Sequence, residues 1–513
     1  MAMDPQQHCR LAHVPLEVLI RITYYISTTD LANVRLSCKV LERALFHFFS
    51  HEFFRKKQFM VSTDSLQVLI DISHHTALSS VLKHVVIGTD RVCHEANDHT
   101  ISLPNEQEAR LAASAADHFD LMTTGRLRDM LAEAFRNLPN LESVDIRDFN
   151  SPSRSRDGDG MLWRSYGAAT LAAANTRLTM HHLRPRQIGP DDYPAQIFSN
   201  LVAALAFAQS RPKSIEINLR SLVWGLGDGA FHIPKLREAI SKPVLAGLTK
   251  LHLCVRHAHF GGSRHHSKAH YLKNFLMLLP NLTWLRLNFQ ADNPHWWLPL
   301  LGWLSSSQSS TDPTALSLPR LKQLDLGSIE LSPDMLFSLV ARNAPELRTL
   351  SLRRILLADA SSEYDTEDKF NPWDSFFSKL GRMKNLNLRE LNLSFLTMKL
   401  GHRPQLTVQF KKSSGACVDD VMLSETSTDK LVEETLGRME VLWPSRRTIR
   451  IEELDFDEDE DEDEDDYDES DGDDPNGDQD GWAGDLDEDE DMDLEIVEDM
   501  LLSHGMQFTS APF

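Results

Sequence analysis

One phrase recurs six times in the middle of this chain and constrains the fold more than any other feature: an apolar residue, two variable ones, then an apolar–x–apolar alternation. It stands at Leu141, Val144 and Ile146; at Leu248, Leu251 and Leu253; and at Leu282, Leu285 and Leu287. It returns at Leu321, Leu324 and Leu326, at Leu347, Leu350 and Leu352, and at Leu388, Leu391 and Leu393. A weaker version is Ile215, Ile217 and Leu219. The alternating half has the period of two of a β-strand, so its apolar side chains share one face. Helical patterns lie between the copies. Ser332-Pro333-Asp334 opens one that continues through Leu336, Leu339 and Val340, while Tyr271, Phe275, Leu276 and Leu279 share a face of another. A single strand–helix unit cannot bury its apolar face alone, so such units are expected to stack into a solenoid.

Copies starting at 248, 282, 321, 347 and 388 lie 34, 39, 26 and 41 residues apart. The shortest spacing falls within the roughly 20–29 residues of a leucine-rich repeat, and the others require insertions. The region resembles an irregular leucine-rich-repeat domain without the Asn or Cys that normally follows the phrase; an ordinary doubly wound α/β fold is the alternative. In a solenoid, Trp284, Arg286, Asn288, Gln323, Asp325, Thr349, Ser351, Arg353, Glu390, Asn392 and Ser394 would project from a concave face. Trp and Arg are the side chains most enriched among interface anchors, which singles out Trp284, Arg286 and Arg353 as contacts for a protein substrate. Residues 150–196, rich in turn-forming and proline residues, read as an insertion; Ser307–Thr314 and Asp359–Asp368 read as surface loops.

The first fifty residues follow a different pattern. Pro15 and Glu17 suit the first turn of a helix carrying Val18, Leu19, Ile22 and Ile26. Thr28 or Thr29 can cap a second helix with Leu31, Val34 and Cys38, and Leu41, Ala44, Leu45, Phe48 and Phe49 mark a third. Three short amphipathic helices, apolar on more than one side, need another surface to pack against. The run from Val14-Pro15-Leu16-Glu17-Val18-Leu19 to Ile22, then Asp30-Leu31, then Cys38-Lys39, resembles the F-box family. The likeness covers residues 11–50. Leu41 stands where that family often has Trp. The resemblance implies docking on the Skp adaptor, which links an F-box protein to a cullin in a ubiquitin ligase. It also implies that Pro15, Leu19, Ile22, Leu31, Cys38, Lys39 and Leu41 face the adaptor.

Charge separates a third region. The chain has 76 acidic and 53 basic residues, yet 30 of the acids and no Lys or Arg lie in 452–499, so the remainder carries +7. Such like-charge density favours disorder, disfavours binding to nucleic acid, and makes a basic protein, or the chain's own body, the natural partner. Leu494, Val497, Met500 and Leu501 would share a face of a short helix there. No apolar stretch approaches the ~18 residues of a membrane span, and nothing marks a secretory leader. Five scattered cysteines suggest neither disulfides nor a zinc knuckle, so a cytoplasmic and/or nuclear address is expected.

No catalytic signature is found. His252, His257, His259, His265, His266 and His270 crowd one segment with Cys254, but without paired ligand spacing. Gly225, Gly227 and Gly229 form GxGxG, not the dinucleotide motif, and Asn476–Asp487 only approximates a calcium loop. The sequence thus implies an α/β protein: a three-helix F-box (11–50), a leucine-rich-repeat-like solenoid (56–451) and an acidic disordered tail (452–513). It is expected to be a non-enzymatic substrate receptor of a Skp–cullin–F-box ligase, without cofactor, metal or membrane. The alternative is an adaptor-bound scaffold outside ubiquitination, or an acidic chaperone for basic proteins.

Overall fold

Three helices open the chain: Leu16–Thr23 (α1), Thr28–Ser37 (α2) and Lys39–Phe54 (α3). The computed structural model describes residues 10–92, 105–152, 157, 162–168, 178–179, 193–220, 225–256, 269–289, 297–306, 318–359, 370–401, 404–412 and 414–443. Pro15 caps α1 with Glu17 in its first turn. The cap of α2 is Ser27, not Thr28 or Thr29: its hydroxyl accepts the Asp30 N–H at 3.1 Å. Thr28 begins the helix, and its N–H and hydroxyl both donate to the Asp157 carboxylate, at 2.8 and 2.6 Å. Asp157 belongs to the 150–196 insertion, which therefore braces the helical trio from a distance in sequence.

Helix α3 buries Leu41, Leu45, Phe49, Phe53 and Phe54, and runs directly into the first strand. The Arg35 guanidinium stacks 3.4 Å from the Phe49 ring centre, and burial lowers its pKa to about 10, so the cation is retained at neutral pH.

A 14-stranded sheet follows. Its first eight strands are Lys56–Phe59 (β1), His84–Gly88 (β2), Ser143–Arg147 (β3), Ser214–Asn218 (β4), Lys250–Val255 (β5), Trp284–Phe289 (β6), Gln323–Leu331 (β7) and Thr349–Asp359 (β8). Each lies parallel beside its predecessor. A doubly wound sheet would reverse its strand order at a switch point. This order never reverses, so the repeats form a strand–helix solenoid. Register puts Val85, Val144, Ile215, Leu251, Leu285, Leu324, Leu350 and Leu391 in one row, all buried. Intervening helices such as Tyr193–Ala208 and Pro333–Asn343 cover that row with Phe198, Leu201, Leu336 and Leu339.

Both ends are closed. At the amino end Lys57 occupies the inward position of β1, its Nζ 5.0 Å from the Phe54 ring centre on α3. At the other end Glu390–Ser394 (β9) and Thr397–Leu400 (β10) both pair in parallel with β8. Antiparallel strands then cap them: Leu406–Lys411 (β11) joins β10, followed by Cys417–Val418 (β12), Asp420–Ser424 (β13) on β9, and Met439–Val441 (β14) on β11. Covering the last repeat with antiparallel strands protects its open backbone edge.

Two local expectations change. Tyr271 is exposed, and Leu272 takes the buried place beside Phe275 and Leu276. The glycine-rich turn is structural: Leu226 bridges to Val255, and the Asp228 carboxylate accepts the Leu272 N–H at 2.8 Å, capping helix His270–Met277. The acidic tail, the Asn476–Asp487 segment and the 494–501 helix lie outside the described residues, as do 307–314 and 360–368.

Removing the remote cap should loosen the trio. Asp157→Ala is expected to accelerate amide exchange across 28–37 about fivefold, the equivalent of roughly 1 kcal/mol for a lost cap. Unchanged exchange there would contradict the bracing role.

Candidate functional site

Two regions are candidates for contact. The first is the outer side of the helical trio. Of the fifteen large apolar side chains exposed among the described residues, seven lie here: Leu16, Val18, Ile22, Tyr24, Tyr25, Leu36 and Val40, with Tyr25 81% exposed. Val18 and Ile22 share one face of α1 at i, i+4 spacing. Pro15 and Lys39 are exposed as well, and the Cys38 thiol is half-buried and free. Leu19, Leu31 and Leu41 correct the expectation of an outward role. All three are buried, because the trio needs an interior of its own to hold its helices together. The apolar surface is instead carried by their neighbours.

The second surface is the sheet face opposite the leucine row, where charged residues bond laterally between strands. Asp145 on β3 is fully buried and accepts from Arg147 Nε at 2.6 Å and Asn218 Nδ2 at 3.1 Å, with His84 Nε2 3.4 Å away. Glu216 on β4 accepts from Ser214 Oγ at 2.7 Å and lies 3.1 Å from Lys250 Nζ and 3.3 Å from His252 Nδ1. Asp325 on β7 accepts from Trp284 Nε1 at 2.8 Å, Arg286 Nε at 3.1 Å and Gln323 Nε2 at 3.2 Å. Burial opposes ionisation of Glu216, but the adjacent His252, the charge of Lys250 and the hydrogen bond from Ser214 outweigh it, holding its carboxyl well below the usual range. Burial pushes the His252 imidazole below its ordinary pKa, and Glu216 only partly restores it.

This lattice revises the role of two expected anchors. Trp284 and Arg286 point to the predicted face, yet both are tied to Asp325, and Lys250 Nζ sits 4.0 Å from the Trp284 ring centre. They stiffen the face as well as line it. Arg353 lies on the same face, half-buried, with its Cζ 5.6 Å from the ring centre of Phe395. Sequence reasoning passed over Asp145 and Glu216 and read His252 only as a member of the histidine cluster. Stacking the copies would have found them, since each occupies the variable place in an apolar–x–apolar segment, as do Arg286 and Asp325.

Among the described residues no group of three or more His, Cys, Asp or Glu side chains could hold a metal ion. Of the histidine cluster, His252 belongs to the lattice and His270 begins a helix, while His257, His259, His265 and His266 lie outside the described residues. No described helix is long and apolar enough to cross a membrane.

No family model matches the sequence, and no curated protein matches it either. Among solved structures, the leucine-rich-repeat-containing protein LegL7 from Legionella pneumophila is similar over 74% of this chain and 98% of its own, at 12% identity and a TM-score of 0.27. That likeness is too loose to assign anything to this chain.

The lattice can be tested through Glu216. Glu216→Gln should cost roughly 1–3 kcal/mol near neutral pH, since Lys250 and His252 lose a charged acceptor. A depressed folded-state pKa means this contribution is complete above the unfolded value near ~4.3 and is lost as pH falls through the folded value. In urea unfolding, the gap between wild type and variant should narrow below that pH; a gap absent at neutral pH would contradict the lattice. Asp325→Ala, which strands Trp284 and Arg286, should destabilise by a similar ~1–3 kcal/mol in the same assay.

Proposed function

We propose that this protein is an F-box substrate receptor: residues 11–50 dock on a Skp adaptor bound to cullin, and the solenoid holds a protein target for ubiquitin transfer. The observation that carries this reading is the concentration of exposed apolar side chains on the trio, at the place where the sequence resembles the F-box. An apolar ridge of this kind on a water-facing module fits completion by another polypeptide. The opposite end of α3 is sealed into the solenoid, so a partner on the ridge and a target on the sheet would be held at a fixed spacing.

The receptor supplies no chemistry. Its contribution is proximity: a bound target lysine experiences a raised effective concentration of the charged ubiquitin carrier on the same scaffold. The half-exposed part of the sheet face, at Trp284, Arg286 and Arg353, suits this role, because the buried lattice beneath it is already bonded within itself and loses little freedom on binding. Cytoplasm and nucleus are both compatible addresses.

The test uses exposed positions, so that folding is preserved. Val18→Asp combined with Ile22→Asp should reduce co-purification of the Skp adaptor at least tenfold while leaving the thermal midpoint nearly unchanged. Undiminished recovery of the adaptor would overturn the docking assignment. Recovery of the adaptor without cullin would instead favour a scaffold acting outside ubiquitination.

A further inference from the structure

Ser328, Arg354 and Phe395 adopt left-handed backbone, with φ of 55°, 51° and 52°. They fall at the same step of consecutive repeats, directly after the register partners Gly327, Arg353 and Ser394. Residues with a Cβ enter that region at a steric cost, and a stacked series of such costs marks a place where the surface is shaped for use. The kink turns Phe395 outward: its ring is 41% exposed, while its N–H is fixed by the Asp419 carbonyl at 2.8 Å. Two guanidiniums flank the ring, Arg353 Cζ at 5.6 Å and Arg354 Cζ at 5.7 Å from its centre. Lys399 is exposed four residues further along, and neither it nor Arg354 has an ion-pair partner among the described residues. The acids on this rim among the described residues include Asp359, whose register partner Leu400 follows Lys399, Asp419, whose carboxylate accepts from Gln409 at 2.9 Å, and Asp420 opposite Ser394.

The path of the chain supplies an occupant. Val441 on β14 pairs with Val408 on β11, whose N–H donates to the Leu396 carbonyl at 2.9 Å. The last described strand is therefore two strands, about 10 Å, from the residue after Phe395. Ten residues separate Val441 from Glu452, a length that spans up to ~35 Å when extended, and 452–499 holds 30 acids without a single Lys or Arg. Arginine forks pair well with carboxylates, and a short tether gives an effective concentration in the millimolar range.

We propose that the rim formed by Arg353, Arg354, Phe395 and Lys399 is a docking site for an acidic peptide segment, and that its occupant is this chain's own stretch from Asp455 to Asp493. The tail then covers the rim at the carboxyl-terminal end of the sheet, and any external partner reaching that end competes with it. This holds independently of what the helical trio binds.

Carbodiimide cross-linking of the full chain tests it, because the reagent joins a carboxylate to a lysine amine only where the two are in contact. At low salt, peptides from 455–493 should couple to Lys399 at least five times more often than to exposed Lys384, at the far end of the same repeat. Arg354→Glu and, separately, Phe395→Ser should each reduce the Lys399 product at least fivefold, as should 0.5 M NaCl. Equal coupling to Lys399 and Lys384, or Lys399 coupling unaffected by both substitutions, would overturn the proposal. Mixing isotope-labelled and unlabelled chains identifies the donor. Products confined to one isotope support the tail of the same chain, and predominantly mixed products would overturn that assignment.

Discussion

No repeat in this protein can bury its leucines alone, and that constraint organises everything else. The row from Val85 to Leu391 is continuous because each strand covers part of its neighbour's apolar face and return helices cover the rest. A structure built this way has two unfinished ends. The chain closes the first with α3, whose Phe53 and Phe54 meet β1 where the leucine gives way to Lys57. It closes the second with antiparallel strands from Leu406 to Val441. The helical trio is therefore a cap on one side, while its other side keeps Leu16, Val18, Ile22 and the two tyrosines in water.

The opposite face of the sheet solves a different electrostatic problem. Parallel strands bring Asp145, Glu216, His252, Arg286 and Asp325 into one lateral row, where unpaired charges would be costly. Arg147, Lys250 and Arg286, with hydroxyl, indole and amide neighbours, pair the carboxylates of that row, so its residues are mutually dependent. The proposed adaptor and tail sites lie outside this row, on the outer side of the trio and at the kinked rim around Phe395.

The repeated phrase made all six central strands legible, and the weak copy at Ile215 also formed a strand. The first two strands were harder. Leu82, Val85 and Ile87 carry the same phrase but lie apart from the other copies, and β1 lacks an inward leucine because it faces α3. The antiparallel cap had no repeat to announce it. The left-handed kinks were hidden because Ser328, Arg354 and Phe395 are not residues that signal such backbone; only the phase shift from Leu326 to Ile329, and from Leu352 to Ile355, betrays them. On the trio, motif position marked the right segment but could not separate the inward Leu19, Leu31 and Leu41 from their outward neighbours, since helix packing decides which apolar side is used.

The most direct measurement is amide hydrogen exchange of the full chain with and without a purified Skp adaptor. If another polypeptide completes the trio, exchange should slow across residues 16–40 and remain unchanged in the strands β5 to β8. Identical exchange at 16–40 in the presence of saturating adaptor would show that the exposed ridge is not its docking surface.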